Sequence, residues 1–427
     1  MTSNVKDVDV VVIGGGPGGS VAAATLAKAG RRVLLVEQRR FPRFHIGESM
    51  LPYSMGLFER MGISDHVASQ GYVIKPGAEF IVRDAVFRIP FADQGPDRHP
   101  VTYQVERSRF DAMLLQNARD QGAMVVENAS VTEVLFGDAE RAEGVRFQFG
   151  GLTHTVTARH VIDAGGRSSR IARQLGLRRI NTKLRNVAVF RHYKGFDDAN
   201  TPGHRGDIQI GAHQDGWVWA IPIAQDRISI GAVTARSTVR ESSPEAVFEE
   251  HLSRVARIGQ RLTGAVSDSD IKVETDYTYY ADDVCGPGWS LVGDAGCFVD
   301  PMFSGGVFLA MATGMRAAET AAVILKDPDS AEIWQAGYAN FFKTGYDTYM
   351  RLVYMYYESH FNMPSVLTPA GLGILGDPWF ARLVSGDFWS KENPVAEFLR
   401  AQPQWNTFSP FSVAYGCPIY STDTEPM

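Results

Sequence analysis

The amino-acid sequence predicts an α/β fold in which a parallel-sheet domain carries a β-rich insertion and is followed by a helical C-terminal region. Three observations predict this fold. An apolar strand, a glycine-rich turn and a helical pattern open the chain, as they do in a βαβ unit. Short β-rich runs separated by Gly, Asp and Pro follow residue 206. From Ser330 onward, aromatic residues recur at helical spacings.

Composition and charge are those of a protein with a large packed core. The chain has 427 residues, 44% of them apolar, and a formal net charge of -6 without a long Lys/Arg run, which disfavours nucleic-acid binding. Two aspartates interrupt the most apolar segment, 291–311, so it is a poor membrane span. The first residues contain no apolar secretory segment. The cysteines match no disulfide or metal-ligand spacing, so we expect a reducing, cytoplasmic location; they are Cys285, Cys297 and Cys417.

The first motif is a dinucleotide-binding pattern. Residues 10–13 form a β-branched apolar run typical of a strand buried on both faces. The turn that follows contains three glycines in the spacing G-x-G-x-x-G: Gly14, Gly16 and Gly19. A helical pattern at 21–29 and a second apolar strand at 33–36 lead to Glu37. Glycines let the backbone approach a pyrophosphate, the helix N-terminus offers free N–H groups, and the acid accepts a ribose hydroxyl.

Two further segments are typical of strand ends that face the same ligand. Residues 160–162 lead to Asp163 and Gly165. Residues 290–292 lead to Asp294. An acid at the end of a buried strand can bond a ribityl hydroxyl while the next helix N-terminus faces a flavin, so FAD is favoured over NAD. Taken alone, each segment is also typical of an ordinary strand-to-helix turn.

Together these segments resemble the flavin monooxygenase-like superfamily, which includes aromatic hydroxylases, geranylgeranyl reductases and flavin-dependent halogenases. The resemblance covers residues 7–322 and implies a Rossmann-like FAD-binding domain interrupted by a substrate-side insertion. It also implies cofactor contacts from Glu48, in HIGES, and from Arg107, although an arginine before a helical pattern is equally compatible with a plain helix start. The implied segments are 5–76, 102–180 and 272–330 for FAD binding, 77–101 and 181–271 for the substrate side, and 331–427 for C-terminal helices.

The pattern W-x-W-x-I-P narrows the resemblance to the flavin-dependent halogenases. It occurs here from Trp217 through Trp219 to Pro222, and alternate strand positions put both indoles on one face. In this family, reduced flavin and O2 form a C4a-hydroperoxide, and chloride attacks it to give hypochlorous acid. The resemblance implies that both indoles keep the substrate ring away from the peroxide. Without the other motifs, two alternating tryptophans would be more typical of core packing.

Lys75 resembles the catalytic lysine of these halogenases by its position downstream of HIGES and by its apolar neighbours in GYVIKPGAEF. The resemblance implies that it delivers the halogen to the substrate. An ammonium could hold and polarise hypochlorous acid, whereas a desolvated amine could form a chloramine. The sequence leaves both routes open, and an isolated loop lysine would normally point its amine into water.

A halide site is predicted in FVDPMFSGG, where the family pattern is F-x-x-P-x-x-S-x-G. Free backbone N–H groups at the start of the next helix could bind chloride, and the candidate residues are Ser304, Gly305 and Gly306. Halogenases of free tryptophan resemble this segment but have a glutamate where this chain has Phe303. By this resemblance, the missing glutamate implies that the substrate is an electron-rich ring, such as a pyrrole or a phenol. This chain is also shorter than the halogenases of free tryptophan, and in this it resembles halogenases whose substrates are thioesters on a peptidyl carrier protein.

The predicted activity is therefore an FADH2-dependent chlorinase of natural-product biosynthesis. We see no second dinucleotide pattern, so a separate flavin reductase is expected to supply FADH2. One alternative is an aromatic hydroxylase on the same scaffold, which would have no use for Lys75 or the paired indoles. Another is a catalytically silent flavoprotein that docks carrier proteins. A prenyl-chain reductase would share the FAD segments but not W-x-W-x-I-P.

Overall fold

The computed structural model describes residues 7–83 and 85–416. Its strands are β1 (Val8–Ile13), β2 (Val33–Val36), β3 (Val73–Lys75), β4 (Gly77–Val82), β5 (Ala85–Pro90), β6 (Thr102–Gln104), β7 (Met124–Val126), β8 (Ser130–Phe136), β9 (Ala142–Phe149), β10 (Leu152–Asp163), β11 (Arg178–Lys194), β12 (Ile208–His213), β13 (Gly216–Ala224), β14 (Arg227–Ala235), β15 (Val266–Ser267), β16 (Lys272–Ala281), β17 (Cys285–Gly286), β18 (Trp289–Leu291) and β19 (Cys297–Phe298).

The α-helices of the described residues are α1 (Pro17–Lys28), α2 (Tyr53–Met61), α3 (Ser64–Ala68), α4 (Arg107–Asp120), α5 (Arg170–Gln174), α6 (Arg236–Glu241), α7 (Pro244–Ser253), α8 (Ala256–Gln260), α9 (Gly306–Lys326), α10 (Ala331–Glu358), α11 (Pro364–Leu367), α12 (Pro378–Ser385) and α13 (Pro394–Arg400). Short 3-10 turns include Phe91–Gln94, Gly166–Ser168 and Gly293–Ala295.

The first sheet has a parallel core in the order β18-β10-β1-β2-β7. Its central strands are buried and rich in Val, Leu and Ile, as expected for a sheet covered on both faces. Residues 152–157 of β10 leave this core and pair antiparallel with β9. Because the parallel strands run in one direction, the ends of β1, β2, β10 and β18 meet at one edge. The turns that carry Gly14, Glu37 and Asp294 start from this edge.

The second sheet has the order β19-β16-β11-β14-β13-β12-β4-β5 and is antiparallel apart from the β12–β4 pair. The tryptophan strand β13 lies inside it, between β12 and β14. Trp217 and Trp219 face the main core, whereas Val218 and Ala220 belong to a separate apolar cluster on the other face. This alternation brings both indoles to the side of the first sheet.

The fold confirms the predicted α/β class, with a Rossmann-like domain, a β-rich insertion and C-terminal helices. The chain does not leave the second sheet at residue 272, where the third FAD-binding segment was expected to begin, because β16 and β19 both pair there. The division into segments stays a prediction. Its ends at residues 5–6 and 417–427, including Cys417, lie outside the described residues.

Helix α9 lies in the interior and brings its N-terminus to the edge of the first sheet. It crosses α1 at close range, since a Cβ on Gly314 would clash with the carbonyl oxygen of Gly18. Among the described residues, α9 is the one helix long and apolar enough to cross a bilayer, but most of that stretch is buried inside the protein. Its apolar character therefore serves packing against α1 and α10.

Candidate active site

A cavity of about 480 Å³ lies between the edge of the first sheet and the indole face of the second. Most of the residues predicted from sequence line it: Gly14, Gly16, Glu37, Glu48, Arg107, Gly165, Trp217, Trp219, Asp294, Ser304 and Gly306. Four predicted residues are not among its described lining residues: Gly19, Lys75, Asp163 and Gly305. The structure thus brings together segments that are far apart in the chain.

The glycine-rich turn has the geometry of a pyrophosphate cradle. Gly14 has a φ of +95°, and a Cβ on it would lie 2.5 Å from the carbonyl oxygen of Ala164. Gly19 lies inside α1, where a Cβ would clash with the carbonyl oxygen of Gly14. Gly19 therefore allows the helix to pack against the turn and does not line the cavity. Glu37 holds the turn closed by accepting the N–H of Gly15 at 2.7 Å.

Replacing Gly14 by alanine is expected to weaken FAD binding at least about tenfold, because the new Cβ adds backbone strain and displaces residue 164. FAD fluorescence titration measures the affinity. Gly30→Ala is the control, since Gly30 also has a positive φ, +75°, but a Cβ on it would have no atom within 4 Å. Equal FAD affinities in both variants would contradict a steric role for Gly14.

Hydrogen bonds within the protein fix the position of the Arg107 side chain. Its Nε and one terminal nitrogen donate to the two oxygens of Asp111, at 2.7 and 2.9 Å, and the other donates to the Ile46 carbonyl at 2.6 Å. Glu48 is also buried, with Oε1 2.8 Å from His192 Nε2. Its Oε2 has no hydrogen-bond partner among the described residues. A buried carboxylate oxygen without a donor fits a ligand hydroxyl or N–H group.

The position of Asp163 differs from the prediction that its carboxylate contacts the cofactor. Its carboxylate accepts three hydrogen bonds from the protein, from the Gly165 N–H at 2.9 Å and from the Ser169 hydroxyl and Ile171 N–H at 2.8 Å each. Because both oxygens are engaged and fully buried, Asp163 shapes the turn that carries Gly165 and does not reach the cavity. Asp294 does line it, and burial raises the pKa of its carboxyl to about 6, partly opposed by Arg167.

The cavity therefore fits FAD. The cradle at Gly14 and Gly16 would take the pyrophosphate, Glu37 the ribose, and Glu48, Arg107 and Asp294 the remaining polar groups. The unpartnered Glu48 oxygen and the absent Cβ at Gly14 are the two features that a bound dinucleotide explains best.

Both indoles form one wall of the cavity. The rings of Trp217 and Trp219 lie 5.9 Å apart at 50° to one another, and each side chain is almost fully buried. Trp219 Nε1 donates to the Ser229 hydroxyl at 3.2 Å. Its ring lies over Gly231, where a Cβ would clash with the indole. Trp217 Nε1 donates to the Tyr357 hydroxyl at 2.8 Å. Hydrogen bonds and packing thus hold the wall in one arrangement.

Lys75 is buried, contrary to the usual placement of lysine. Its side chain is 1% exposed, and Nζ donates to the Met50 carbonyl at 2.9 Å. The amine also lies 5.1 Å from the centre of the Phe91 ring. Desolvation lowers the pKa of Lys75 to about 7, against an opposing effect of Asp207. Lys75 does not line the FAD cavity, but its strand β3 contacts the tryptophan strand β13.

Burial of Lys75 predicts a pH-dependent stability difference. Because its pKa is about 10.4 in the unfolded chain and about 7 when folded, only the unfolded state binds this proton between those values. The Lys75 contribution is therefore most unfavourable at or below pH 7 and disappears as the pH approaches 10. Lys75→Met should raise the free energy of unfolding by roughly 4 kcal/mol at pH 7. Urea unfolding at pH 7 and pH 10 tests this, and an equal difference at both pH values would contradict it.

The predicted halide segment is a tight turn before α9. Ser304 has a φ of +58°, and Ser304 and Gly306 line the cavity. Gly305 departs from the prediction, since its N–H is not free: it donates to the Tyr349 hydroxyl at 3.2 Å. A Cβ on Gly305 would also clash with the Tyr349 ring, at 2.7 Å. Gly305 therefore packs against α10, which leaves the start of α9 at Gly306 as the part facing the cavity.

The structure adds residues that sequence reasoning missed. Tyr346 and Tyr349 of α10 line the cavity, and Tyr357 contacts Trp217. Asp300 accepts the Tyr357 hydroxyl at 2.8 Å. The aromatic pattern after Ser330 predicted the helix, but helical spacing alone gave no means of telling which tyrosines pack in the core and which reach the site.

Comparisons with known proteins agree with this geometry. The model of the FAD binding domain family matches residues 7–333. A tryptophan 2-halogenase from Chondromyces crocatus is 33% identical over 79% of this chain, which spans 64% of that relative's length. A 1H-pyrrole-2-carbonyl peptidyl-carrier protein brominase from Pseudoalteromonas luteoviolacea is 32% identical and is covered over 78% of its length, with 74% of this chain.

Solved structures agree as well. A myxobacterial chondrochloren halogenase has a TM-score of 0.79 and 31% identity, with 92% of this chain and 98% of that chain covered. A flavin-dependent brominase has a TM-score of 0.81 and 27% identity over 93% of this chain and 98% of that chain. The likeness thus includes the FAD-binding segments, the insertion and the C-terminal helices. The chain belongs to the flavin-dependent halogenases.

Proposed function

We propose that this protein is an FADH2-dependent chlorinase that acts on an electron-rich pyrrole or phenol, held as a thioester on a carrier protein, in natural-product biosynthesis. The observation that carries the proposal is the indole wall of Trp217 and Trp219 beside the FAD cavity, with the buried Lys75 on a neighbouring strand. A hydroxylase would need the substrate ring to reach the flavin, and the wall opposes this.

Each group of residues has a separate task. Gly14, Gly16, Glu37 and Arg107 would hold FAD, which when reduced supplies the O2 activation that oxidises halide to hypohalous acid. The start of α9, at Ser304 and Gly306, offers backbone N–H groups and the positive end of a helix dipole to the halide. The indoles exclude the substrate ring from the flavin side. Lys75 then either donates a hydrogen bond to the hypohalous acid as an ammonium, or reacts as the neutral amine and carries the halogen as a haloamine.

The substrate class follows from apolar residues at the candidate substrate side. Phe303 is buried between Phe80 and Tyr356, with ring centres 6.1 and 5.6 Å away. A carboxylate that could orient an unactivated ring is absent from position 303, so an electron-rich ring is favoured. Relatives that halogenate pyrrole on a peptidyl carrier protein support the tethered form. The tryptophan 2-halogenase relative makes free tryptophan the rival substrate.

The proposal includes a partner and a location. A separate flavin reductase would supply reduced FAD, since the chain has one dinucleotide pattern. We place the reaction in the cytoplasm, where a reductase and NADH are at hand, and where the free thiols Cys285 and Cys297 would stay reduced.

The test supplies FAD, a flavin reductase, NADH, O2 and chloride to the full chain with pyrrolyl-carrier thioester, hydroxybenzoyl-carrier thioester or free tryptophan. Intact mass spectrometry detects replacement of hydrogen by chlorine. Chlorination of a carrier thioester supports the proposal. If free tryptophan is the only substrate chlorinated, the proposed substrate class is wrong. A chloride-independent gain of one oxygen would make the protein a hydroxylase. Flavin oxidation without any product would favour a silent carrier-docking flavoprotein.

A further inference from the structure

A continuous set of hydrogen bonds joins Trp217 to the turn before α9. Trp217 Nε1 donates to the Tyr357 hydroxyl at 2.8 Å, and that hydroxyl donates to Asp300 Oδ2 at 2.8 Å. From the other end, the Gly305 N–H donates to the Tyr349 hydroxyl at 3.2 Å. That hydroxyl donates to the backbone carbonyl of Asp300 at 3.0 Å. The indole wall and the turn are therefore tied to one residue, Asp300.

Asp300 has the bonding pattern of a rigid anchor. It is 1% exposed, and its Oδ2 also accepts Asn186 Nδ2 at 2.8 Å. Its Oδ1 accepts the N–H of Met302 at 3.1 Å. Burial raises the pKa of this carboxyl, while hydrogen bonds from Asn186, Tyr357 and Met302 lower it. Bonds to a buried carboxylate are stronger than those between neutral groups, so they hold their donors in fixed directions.

Tyr357 connects the Asp300 carboxylate to the Trp217 indole through hydrogen bonds. Its hydroxyl donates one hydrogen bond, to Asp300, and accepts two, from Trp217 and from Asn186 at 3.0 Å. A hydroxyl has one donor and two acceptor positions, so all three are used. The ring of Trp217 cannot turn without breaking its hydrogen bond to Tyr357, and the indole N–H would then lose its partner.

We infer that Asp300 is a positioning residue that holds the Trp217 indole and the turn 304–306 in a fixed relation to each other. Its effect on catalysis rests on the function proposed above, because a fixed relation matters when the halide and the substrate ring must stay on opposite sides of the indole. Asp300 itself does not line the cavity, and it has no described contact with Lys75. It acts through Tyr357 and Tyr349.

Two variants break the anchor with little change of shape. Asp300→Asn keeps the size of the side chain, but whichever way its amide turns, one NH2 faces a donor that formerly bonded to a carboxylate oxygen. Tyr357→Phe removes only the hydroxyl. The matched control is Glu358→Ala, the next residue of α10, which breaks the hydrogen bond from Trp405 Nε1 to Glu358 Oε2 at 2.7 Å without touching Asp300.

The first readout is 19F NMR of the FAD-loaded full chain labelled with 5-fluorotryptophan, with the Trp217 resonance assigned by Trp217→Phe. The Trp217 resonance should shift and broaden in Asp300→Asn and Tyr357→Phe, and only the Trp405 resonance should move in Glu358→Ala. The second readout is chlorinated product per FADH2 oxidised, which should fall about tenfold in both anchor variants at an unchanged rate of flavin oxidation.

The outcomes separate this inference from the proposed function. An unmoved Trp217 resonance in both folded anchor variants would overturn it, whatever the activity. Equal losses of flavin oxidation and halogenation would also overturn it, because they indicate general damage to the fold. If the wild type chlorinates none of the substrates, the proposed function fails, and the NMR result still decides whether Asp300 orients Trp217.

Discussion

Lys75→Met should abolish chlorinated product, by about a thousandfold or more, while reduced FAD is still oxidised by O2. Methionine fills a similar volume beside Phe91 but offers no amine to hold or carry the halogen. Loss of product with continued flavin oxidation would separate halogen delivery, the role proposed for Lys75, from O2 activation at the flavin. Intact mass of the carrier thioester and the rate of FADH2 oxidation measure the two quantities in one reaction.

The control is Lys183→Met. Lys183 also donates Nζ to a backbone carbonyl, that of Gln404 at 2.7 Å, but it lies at the surface. Its replacement should leave product formation at the wild-type level. A Lys75→Met enzyme that still chlorinates its substrate would remove Lys75 from the mechanism, and a variant that also stops oxidising FADH2 would give the lysine a role in flavin chemistry.

The pH dependence of the wild type distinguishes the two routes open to Lys75. With a pKa of about 7, this lysine changes charge near neutral pH. If the ammonium donates a hydrogen bond to hypohalous acid, product per FADH2 should fall as the pH rises through about 7. If the neutral amine carries the halogen, the same ratio should rise. Flavin oxidation, measured in parallel, corrects for titration elsewhere.

Local patterns were enough to predict much of the fold. The strand at 33–36 was found at its predicted position, and the runs in RGDIQIGAH, GWVWAIPI and RISIGAV became neighbouring strands β12, β13 and β14. The strand at 33–36 is a continuous apolar run, and the other three are short β-rich runs bounded by Gly, Asp or Pro, so each strand can be recognised without help from distant residues. The same holds for the glycine-rich turn, whose backbone requirement is visible in the residues themselves.

Long-range packing could not be predicted in this way. Asp163 and Asp294 occupy similar places in sequence, after a buried strand and before small residues, but of the two side chains only that of Asp294 lines the cavity. Ser169 and Ile171 supply donors that capture Asp163, whereas Asp294 has Arg167 near it and opens to the cavity. Likewise, Gly305 of the predicted halide site donates its N–H to the hydroxyl of Tyr349, a contact across 44 residues. Such pairings depend on how helices and sheets meet.

Trp219→Ala should destroy the separation between flavin and substrate. Removing the indole deletes the part of the wall over Gly231 and leaves a cavity next to Phe190, whose ring centre lies 5.8 Å from that of Trp219. The free energy of unfolding should drop by about 3–5 kcal/mol. Chlorinated product per FADH2 should fall about a hundredfold, because halogen and ring are no longer held in register. Peroxide release or oxygen insertion into the ring should account for the remaining FADH2.

Trp389→Ala separates this effect from instability. Trp389 is fully buried, stacks on Phe341 at 4.6 Å and donates Nε1 to the Phe341 carbonyl at 2.8 Å, but does not line the described cavity. Its loss should cost a similar free energy of unfolding and leave the ratio of product to FADH2 unchanged. If both variants lower that ratio equally, the paired indoles are core packing and nothing more. If only Trp219→Ala lowers it, the wall directs the oxidant to halide because it keeps the ring away.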